Sequence, residues 1–172
     1  GTGSTQISVD NVFVPESHVI ASSIEKPVLT NPPLSRYVNL MFVNQLGVIL
    51  GTTKTLLEMI EARIATKMTP DRTPLNKEYR FRVGIPHAWG LYQAASAYVY
   101  DVAGKCDALL FADKPLPPEL LARTSTMSVI APELCRKAVD NALDLLGSDH
   151  IFRSTGIDKL YADLRVASTH II

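Results

Sequence analysis

The sequence predicts an all-α protein: an antiparallel four-helix bundle preceded by a short β segment. Apolar residues recur at helical spacing in four stretches, and short turns rich in proline or glycine separate these stretches. Alternating β-forming residues occur near the start of the chain. With 172 residues, 47% of them hydrophobic, the chain can bury a core of its own. We therefore expect a β segment with a linker in residues 1–30 and the bundle in residues 31–172.

The β segment is predicted near the N-terminus. Its β-forming residues are Ile7, Val9, Val12 and Val14. The turn-forming pair Asp10 and Asn11 interrupts them, and Pro15 ends the run. One or two strands without a surrounding sheet are marginally stable. We therefore expect this segment to belong to a longer polypeptide or to need a partner.

The first helix is predicted from about Leu34 to Lys67, with Asn31 as cap, Pro32 in the first helical position and a stop at residues 69–71. Residues 38–50 are apolar on nearly every side, but this stretch is shorter than the roughly 20 apolar residues that span a bilayer. A helix with no polar face lies at the centre of a bundle or in a subunit interface. We therefore expect a homodimer or tetramer and no membrane partner.

Two further helices are predicted, the second from about Lys77 to Ala112 and the third from about Glu119 to Leu146. Pro86 should delay the start of the second helix or kink it, because proline lacks the backbone donor that a helix interior needs. Pro132 should kink the third helix for the same reason.

The fourth helix, predicted over residues 157–172, is amphipathic and carries an isolated histidine, His170, near its end. Its apolar stripe requires that it docks on another element. A docked helix can hold the His170 imidazole at a fixed point in a cavity, whereas a frayed terminus would leave it in solvent. Both interpretations stay open from the residues alone.

Both ends of the chain resemble a known family. Residues 152–170 are similar to the C-terminal signature of the acyl-CoA dehydrogenase superfamily, specifically of its flavin-dependent monooxygenase branch, where histidine follows a helical Arg-Asp pair. Asp163 and His170 match this signature, while Ala162 replaces the arginine. Residues 1–16 resemble the exit from the superfamily's middle β-domain, where a Gly-Thr-Gly-Ser turn feeds a strand that Val-Pro ends.

The resemblance implies that residues 1–30 are the β-domain exit with a linker and that residues 31–172 are the C-terminal helical domain. In this superfamily the C-terminal domain packs against a flavin and builds the dimer and tetramer interfaces. An N-terminal helical domain and the middle β-domain complete the active site there. The resemblance therefore implies FAD or FMN as cofactor, and we expect no turnover from this chain alone.

The branch of the superfamily depends on a carboxylate base. Acyl-CoA dehydrogenases remove a substrate proton with a glutamate, either soon after the Arg-Asp helix or on the first long helix. Neither place has glutamate here; the residues found are Thr169 and His170, and Arg36 and Tyr37. The resemblance thus favours a monooxygenase that takes reduced flavin from a separate flavin reductase and uses O₂ on a small-molecule substrate. There His170 would steady a flavin hydroperoxide or help deprotonate the substrate.

Two alternative functions stay open. One is an acyl-CoA dehydrogenase acting on CH–CH bonds with its base elsewhere, and the other is a non-catalytic helical oligomerisation module. Two further residues are candidates for cofactor binding. Arg153 could reach a flavin phosphate or face solvent, and Asp163 could orient a neighbouring element at the cofactor or remain a solvated carboxylate.

Composition excludes several partners. Seventeen basic residues balance seventeen acidic ones, so the chain lacks the charge that attracts nucleic acid or an anionic membrane. Cys106 and Cys135 lie far apart, and His18 and His150 have no ligand at helical spacing, so no metal site is expected. Free, reduced thiols favour a cytoplasmic location.

Overall fold

The computed structural model describes residues 6–19, 40, 42–151 and 155–169, apart from the side chains of residues 42, 149 and 150. These residues form four α-helices, which are α1 (Phe42–Thr66), α2 (Tyr79–Phe111), α3 (Pro118–Leu146) and α4 (Ile157–Thr169). Short 3-10 turns occupy Glu16–His18, Leu75–Lys77 and Gly147–Ile151. The predicted all-α fold class is confirmed.

The observed helix bounds lie close to the predicted ones. α2 begins at Tyr79 rather than Lys77, because a 3-10 turn precedes it. α3 begins at Pro118, one residue before the predicted Glu119. Proline suits this first position, since its missing N–H would have no partner within the helix. The predicted start of the first helix, residues 34–39, lies outside the described residues.

The expected β segment needs a correction. Residues 6–15 form no strand, and their apolar side chains are exposed, with Ile7 at 81% and Phe13 at 88%. A strand needs a neighbour for its backbone hydrogen bonds, and none of the residues that the structure describes pairs with this segment. High β propensity alone therefore does not produce the expected strands.

Both internal prolines lie within continuous helices, Pro86 in α2 and Pro132 in α3. Pro86 therefore does not delay the start of α2. Each proline removes the helical donor for the carbonyl four residues earlier, which belongs to Arg82 in α2 and to Ser128 in α3.

The core lies where all four helices meet. α2 and α3 make the most extensive contact, α1 packs on both, and α4 packs on α1 and α3. Gly84 permits the close approach of α2 to α3, because a Cβ at this position would lie 2.6 Å from Leu145 Cδ1. Fully buried core side chains include Ile49, Leu56, Ile60, Val102, Leu146 and Leu164.

The apolar first part of α1 is covered on one side by the rest of the described chain. Leu46 and Ile49 are buried, whereas Val48 is 59% exposed and Gly47 and Gly51 lie on the same open side. The expected subunit contact would use this open side. None of the helices in the described part of the chain is long and apolar enough to cross a membrane.

Candidate functional site

The last turn of α4 is held by side chains from two other helices. Gln45 on α1 donates a hydrogen bond from Nε2 to the carbonyl of Ala167, at 3.1 Å. Arg136 on α3 donates from Nη1 to the carbonyl of Ser168, at 3.4 Å. The last carbonyls of a helix have no partner within it, and a cation is favourable at this end. The backbone at the end of α4 is therefore fixed relative to α1 and α3.

The inward face of α4 adds apolar contacts to these hydrogen bonds. Ile157 is 2% exposed, and Leu164 and Ser168 are both 0% exposed. The Ser168 hydroxyl donates a hydrogen bond to the Leu164 carbonyl, so its burial leaves no unpaired donor. The predicted catalytic residue His170 follows this anchored turn. His170 itself lies outside the described residues, and so does Arg153.

Asp163 lies on the opposite, exposed face of α4. Its Oδ2 accepts a hydrogen bond from Lys159 Nζ at 2.8 Å, and both side chains are more than half exposed. Hydrogen bonding to Asp163 raises the pKa of Lys159 above its ordinary value. The structure therefore pairs Asp163 with a neighbour on its own helix and does not bring it to the buried side of α4.

A second polar contact ties α4 to α3. The Tyr161 hydroxyl donates to Asp140 Oδ1 at 2.7 Å, and Arg165 Nη1 lies 3.9 Å from Asp140 Oδ2. Burial, and then the bond to Asp140, raise the pKa of Tyr161 above its ordinary value. The tyrosine therefore stays protonated at neutral pH and acts as a hydrogen-bond donor.

An open cleft of about 450 Å³ lies between the second half of α1 and the start of α4, and we call it the α1–α4 cleft. Its lining residues are Met59, Ala62, Arg63, Thr66, Thr155 and Ile157. Arg63 and Thr66 are three residues apart and so share one face of α1. A guanidinium and two hydroxyls above an apolar floor can bind an anionic, hydroxylated ligand. Arg153 precedes Thr155 by two residues in the sequence.

Two glycines with positive φ lie at the end of α3 and before the start of α4. Gly147 has φ +70° and Gly156 has φ +71°, a conformation that strains other residues. Lys67 Nζ donates to the carbonyl of Leu146 at 3.3 Å, which fixes the point where the chain leaves α3. Thr155 Oγ1 accepts a hydrogen bond from the Ile157 amide at 3.3 Å, which satisfies the first backbone N–H of α4.

A buried carboxylate oxygen lies in the first turn of α4. Asp158 Oδ1 is buried and has no hydrogen-bond partner among the residues that the structure describes. Such an atom is costly unless a donor reaches it. Asp158 follows Ile157, which lines the α1–α4 cleft, but Asp158 itself does not line the cleft. The guanidinium and the two hydroxyls that line the cleft fit the phosphate and ribityl groups of a flavin nucleotide.

The other candidate groups in the described part of the chain are the acidic residues, the two cysteines and His87. In the described part of the chain, histidine, cysteine and acidic residues form no cluster that could hold a metal ion. Cys106 and Cys135 are free and buried, and burial raises the pKa of both thiols above the ordinary value of 9.0. His87 is exposed, with Nδ1 at 3.4 Å from Asn141 Nδ2.

Sequence reasoning missed several residues that shape this region. Gln45 interrupts an apolar stretch of the sequence, and a polar side chain in such a stretch can signal a buried hydrogen bond. Arg63 and Thr66 are harder to recognise from the sequence. Their only indication of a binding site is that a basic residue and a hydroxyl share one face near the end of a predicted helix. Arg136 carried no such indication, since its partner on α4 is distant in sequence.

The fold and the site define a class of domain: an all-α bundle whose fourth helix packs on the first, with a polar cleft beside that contact. Residues 44–172 match the sequence model of the family described as acyl-CoA dehydrogenase, C-terminal domain. The chain belongs to this family, which confirms the resemblance of its C-terminal part to the acyl-CoA dehydrogenase superfamily.

A solved structure with a similar fold is that of XiaF from Streptomyces sp., in complex with FADH2 and glycerol. The two chains superpose with a TM-score of 0.80 and share 22% sequence identity. The match covers 91% of this chain and 42% of the XiaF chain, so this chain spans less than half of that protein. At this identity the likeness concerns the fold. A search of curated proteins finds no match.

Proposed function

We propose that this chain is the C-terminal helical domain of a flavin-dependent monooxygenase, which takes reduced flavin from a separate reductase and uses O₂ on a small-molecule substrate. The observation that carries the proposal is the anchored end of α4, where Gln45 and Arg136 hold the turn that precedes His170. Family membership supports a flavin-dependent oxidoreductase. The absence of glutamate from both usual base positions in the sequence favours the monooxygenase branch.

His170 suits proton handling near neutral pH, because the ordinary pKa of histidine is about 6.5. Its role is to donate a hydrogen bond to the reacting oxygen or to accept the proton of an acidic substrate hydroxyl. Either role needs a fixed imidazole, and the two side-chain bonds to the last turn of α4 provide a fixed backbone.

The α1–α4 cleft is the proposed binding place for the non-reactive part of the flavin nucleotide. Arg63 would pair with a phosphate, and Thr66 and Thr155 would hydrogen-bond the phosphate or ribityl chain. Arg153 is proposed as a second phosphate partner. When bound, reduced flavin supplies the electrons that activate O₂.

The distance along α4 favours FAD over FMN. α4 has 13 residues and therefore measures about 20 Å from the cleft at its start to Thr169 at its end. An extended dinucleotide can bridge that distance, whereas a mononucleotide is shorter. XiaF, which shares the fold, was solved with FADH2. Asp163, on the exposed face of α4, is proposed to orient a neighbouring element and not to touch the flavin.

The complete parent protein is the right sample for testing His170. In His170→Ala, supplied with reduced flavin, we expect product formation to fall by about 10²-fold, with hydrogen peroxide release rising in its place. Folding and flavin binding should be retained. His87→Ala, which changes an exposed histidine on α2, is the control. An unchanged ratio of product to peroxide would reject the role, and efficient acyl-CoA dehydrogenation would favour the dehydrogenase.

The assembly and location of the parent protein are part of the same proposal. The open side of α1 around Val48 supports a homo-oligomer, and two buried free thiols suit the reducing cytoplasm. Because other domains complete the site in this superfamily, we expect the 172-residue chain alone to bind flavin weakly and to show no turnover. Yellow protein with one flavin per purified chain would contradict this.

A further inference from the structure

A second cleft, of about 360 Å³, lies between α1 and α2, on the side of α1 that faces away from α4. We call it the Trp89 cleft. Its floor is apolar and consists of Ile64, Phe81 and Ile85, which are all buried. Pro86 and the indole of Trp89 form an aromatic and aliphatic wall, and Glu61 lies at the rim. The cleft therefore combines a surface for a flat ring with one carboxylate.

The carboxylate of Glu61 is oriented by its neighbour. Trp89 Nε1 donates a hydrogen bond to Glu61 Oε2 at 3.1 Å. The ring of Tyr92 packs edge-on against the indole, with ring centroids 5.6 Å apart, and so supports its position. A carboxylate can accept several hydrogen bonds, and no described residue occupies Oε1. Glu61 therefore presents one acceptor in a defined direction.

One backbone carbonyl in α2 lacks its usual helical donor. Pro86 has no N–H, so the carbonyl of Arg82 lacks its helical donor. Arg82 also lines the cleft, and its side chain is exposed. The cleft thus has an oriented carboxylate in Glu61, while its cation is carried on the long exposed side chain of Arg82.

We propose that the Trp89 cleft binds a small aromatic ammonium compound. The ring lies on the apolar floor against Trp89, and the ammonium group donates to Glu61 Oε1. An apolar ring gains from burial, and an ammonium near an indole face gains a further cation–π attraction. The Trp89 cleft and the α1–α4 cleft share no lining residue, so this site is separate from the proposed flavin position.

The chain contains a single tryptophan, so its fluorescence reports directly on this cleft. The 172-residue chain, free of flavin, is titrated with 2-phenylethylamine, 2-phenylethanol and 3-phenylpropionate. The amine should shift or quench Trp89 emission with a saturable curve and bind about fivefold more tightly than the alcohol, which lacks the charge. The carboxylate compound should bind more weakly still. Equal affinities for amine and alcohol, or preference for the carboxylate, would overturn the proposal.

Two substitutions change the affinity in opposite directions. Glu61→Gln keeps an acceptor for the indole but loses the charge, so the amine should bind about fivefold more weakly while the alcohol is unaffected. Arg82→Gln removes a like charge from the rim, so the amine should bind about twofold more tightly. Glu58→Gln is the control, since Glu58 is exposed on α1 beside Lys54 and does not line the cleft. Unchanged amine affinity in Glu61→Gln would also overturn the proposal.

Discussion

The amide of Gln45 and the carbonyl of Ala167 are joined by a hydrogen bond of 3.1 Å between residues 122 positions apart. The bond connects the apolar first part of α1 to the end of α4. It is partly buried, so a lost partner would not be replaced fully by water. This contact therefore stabilises the last turn of α4, which directly precedes the proposed catalytic histidine in the sequence.

Replacing Gln45 tests that link. In Gln45→Leu the Ala167 carbonyl loses its donor, and we expect a loss of about 1 kcal/mol in the free energy of unfolding by urea. Amide hydrogen exchange should accelerate in the last turn of α4 more than elsewhere. Asn44→Leu changes a neighbouring exposed residue and should leave exchange in α4 unaltered. Uniform acceleration over all helices would show that Gln45 does not act on α4 in particular.

Glycine substitutions test the contact between α2 and α3. A methyl group at Gly84 would meet the flexible end of Leu145, so Gly84→Ala should be nearly neutral, its strain offset by a gain of about 0.5–1 kcal/mol in helix stability. The larger Gly84→Val should cost about 1–3 kcal/mol through overpacking.

Gly104 provides the matched control for this series, because a Cβ there would meet nothing within 4 Å. Gly104→Ala should therefore raise the free energy of unfolding by roughly 0.5–1 kcal/mol. If Gly84→Val were as stable as the parent chain in the same urea titration, the close approach of the two helices would be refuted.

The sequence contained most of the information about the helices and little about their polar contacts. Leu56 and Ile60 are four residues apart because both are buried on the same face of one helix. This spacing can be recognised in the sequence without knowing the helix's neighbours. The strand expectation for Ile7 and Val9 failed because a strand depends on a neighbour elsewhere. For the same reason the partners of Gln45 were not predictable, since the bond exists only after α1 and α4 pack together.

The pKa of Asp101 gives a test of the surface charges between α2 and α3. Hydrogen bonds from Lys105 and then Arg123 lower the pKa of its carboxyl below the ordinary value of 3.8. The N···O distances are 2.7 Å in both ion pairs. A carboxyl with a depressed folded-state pKa contributes stability that is complete above its unfolded value and disappears as the pH falls through the folded value.

We therefore expect the Asp101 carboxyl to titrate below pH 3.8 by NMR and Asp101→Asn to flatten the acid side of the stability curve. Arg123→Gln should move the titration midpoint upward, toward 3.8, because one donor is lost. Lys54→Gln, on α1 and paired with Glu58, should leave it unchanged. A midpoint at or above 3.8 in the unaltered chain would contradict the ion-pair geometry.

Arg63 provides the test of the proposed flavin position. In the complete parent protein, Arg63→Gln should weaken flavin binding by about tenfold or more, because a charge-assisted bond to phosphate is lost from the α1–α4 cleft. The affinity for riboflavin, which has no phosphate, should change much less. Arg80→Gln removes an exposed guanidinium from the first turn of α2 and serves as the control for net charge. If Arg63→Gln weakened the binding of phosphorylated flavin and of riboflavin equally, Arg63 would act on the fold of the cleft and not on phosphate. If Arg63→Gln and Arg80→Gln bound flavin with equal affinity, the nucleotide would bind elsewhere.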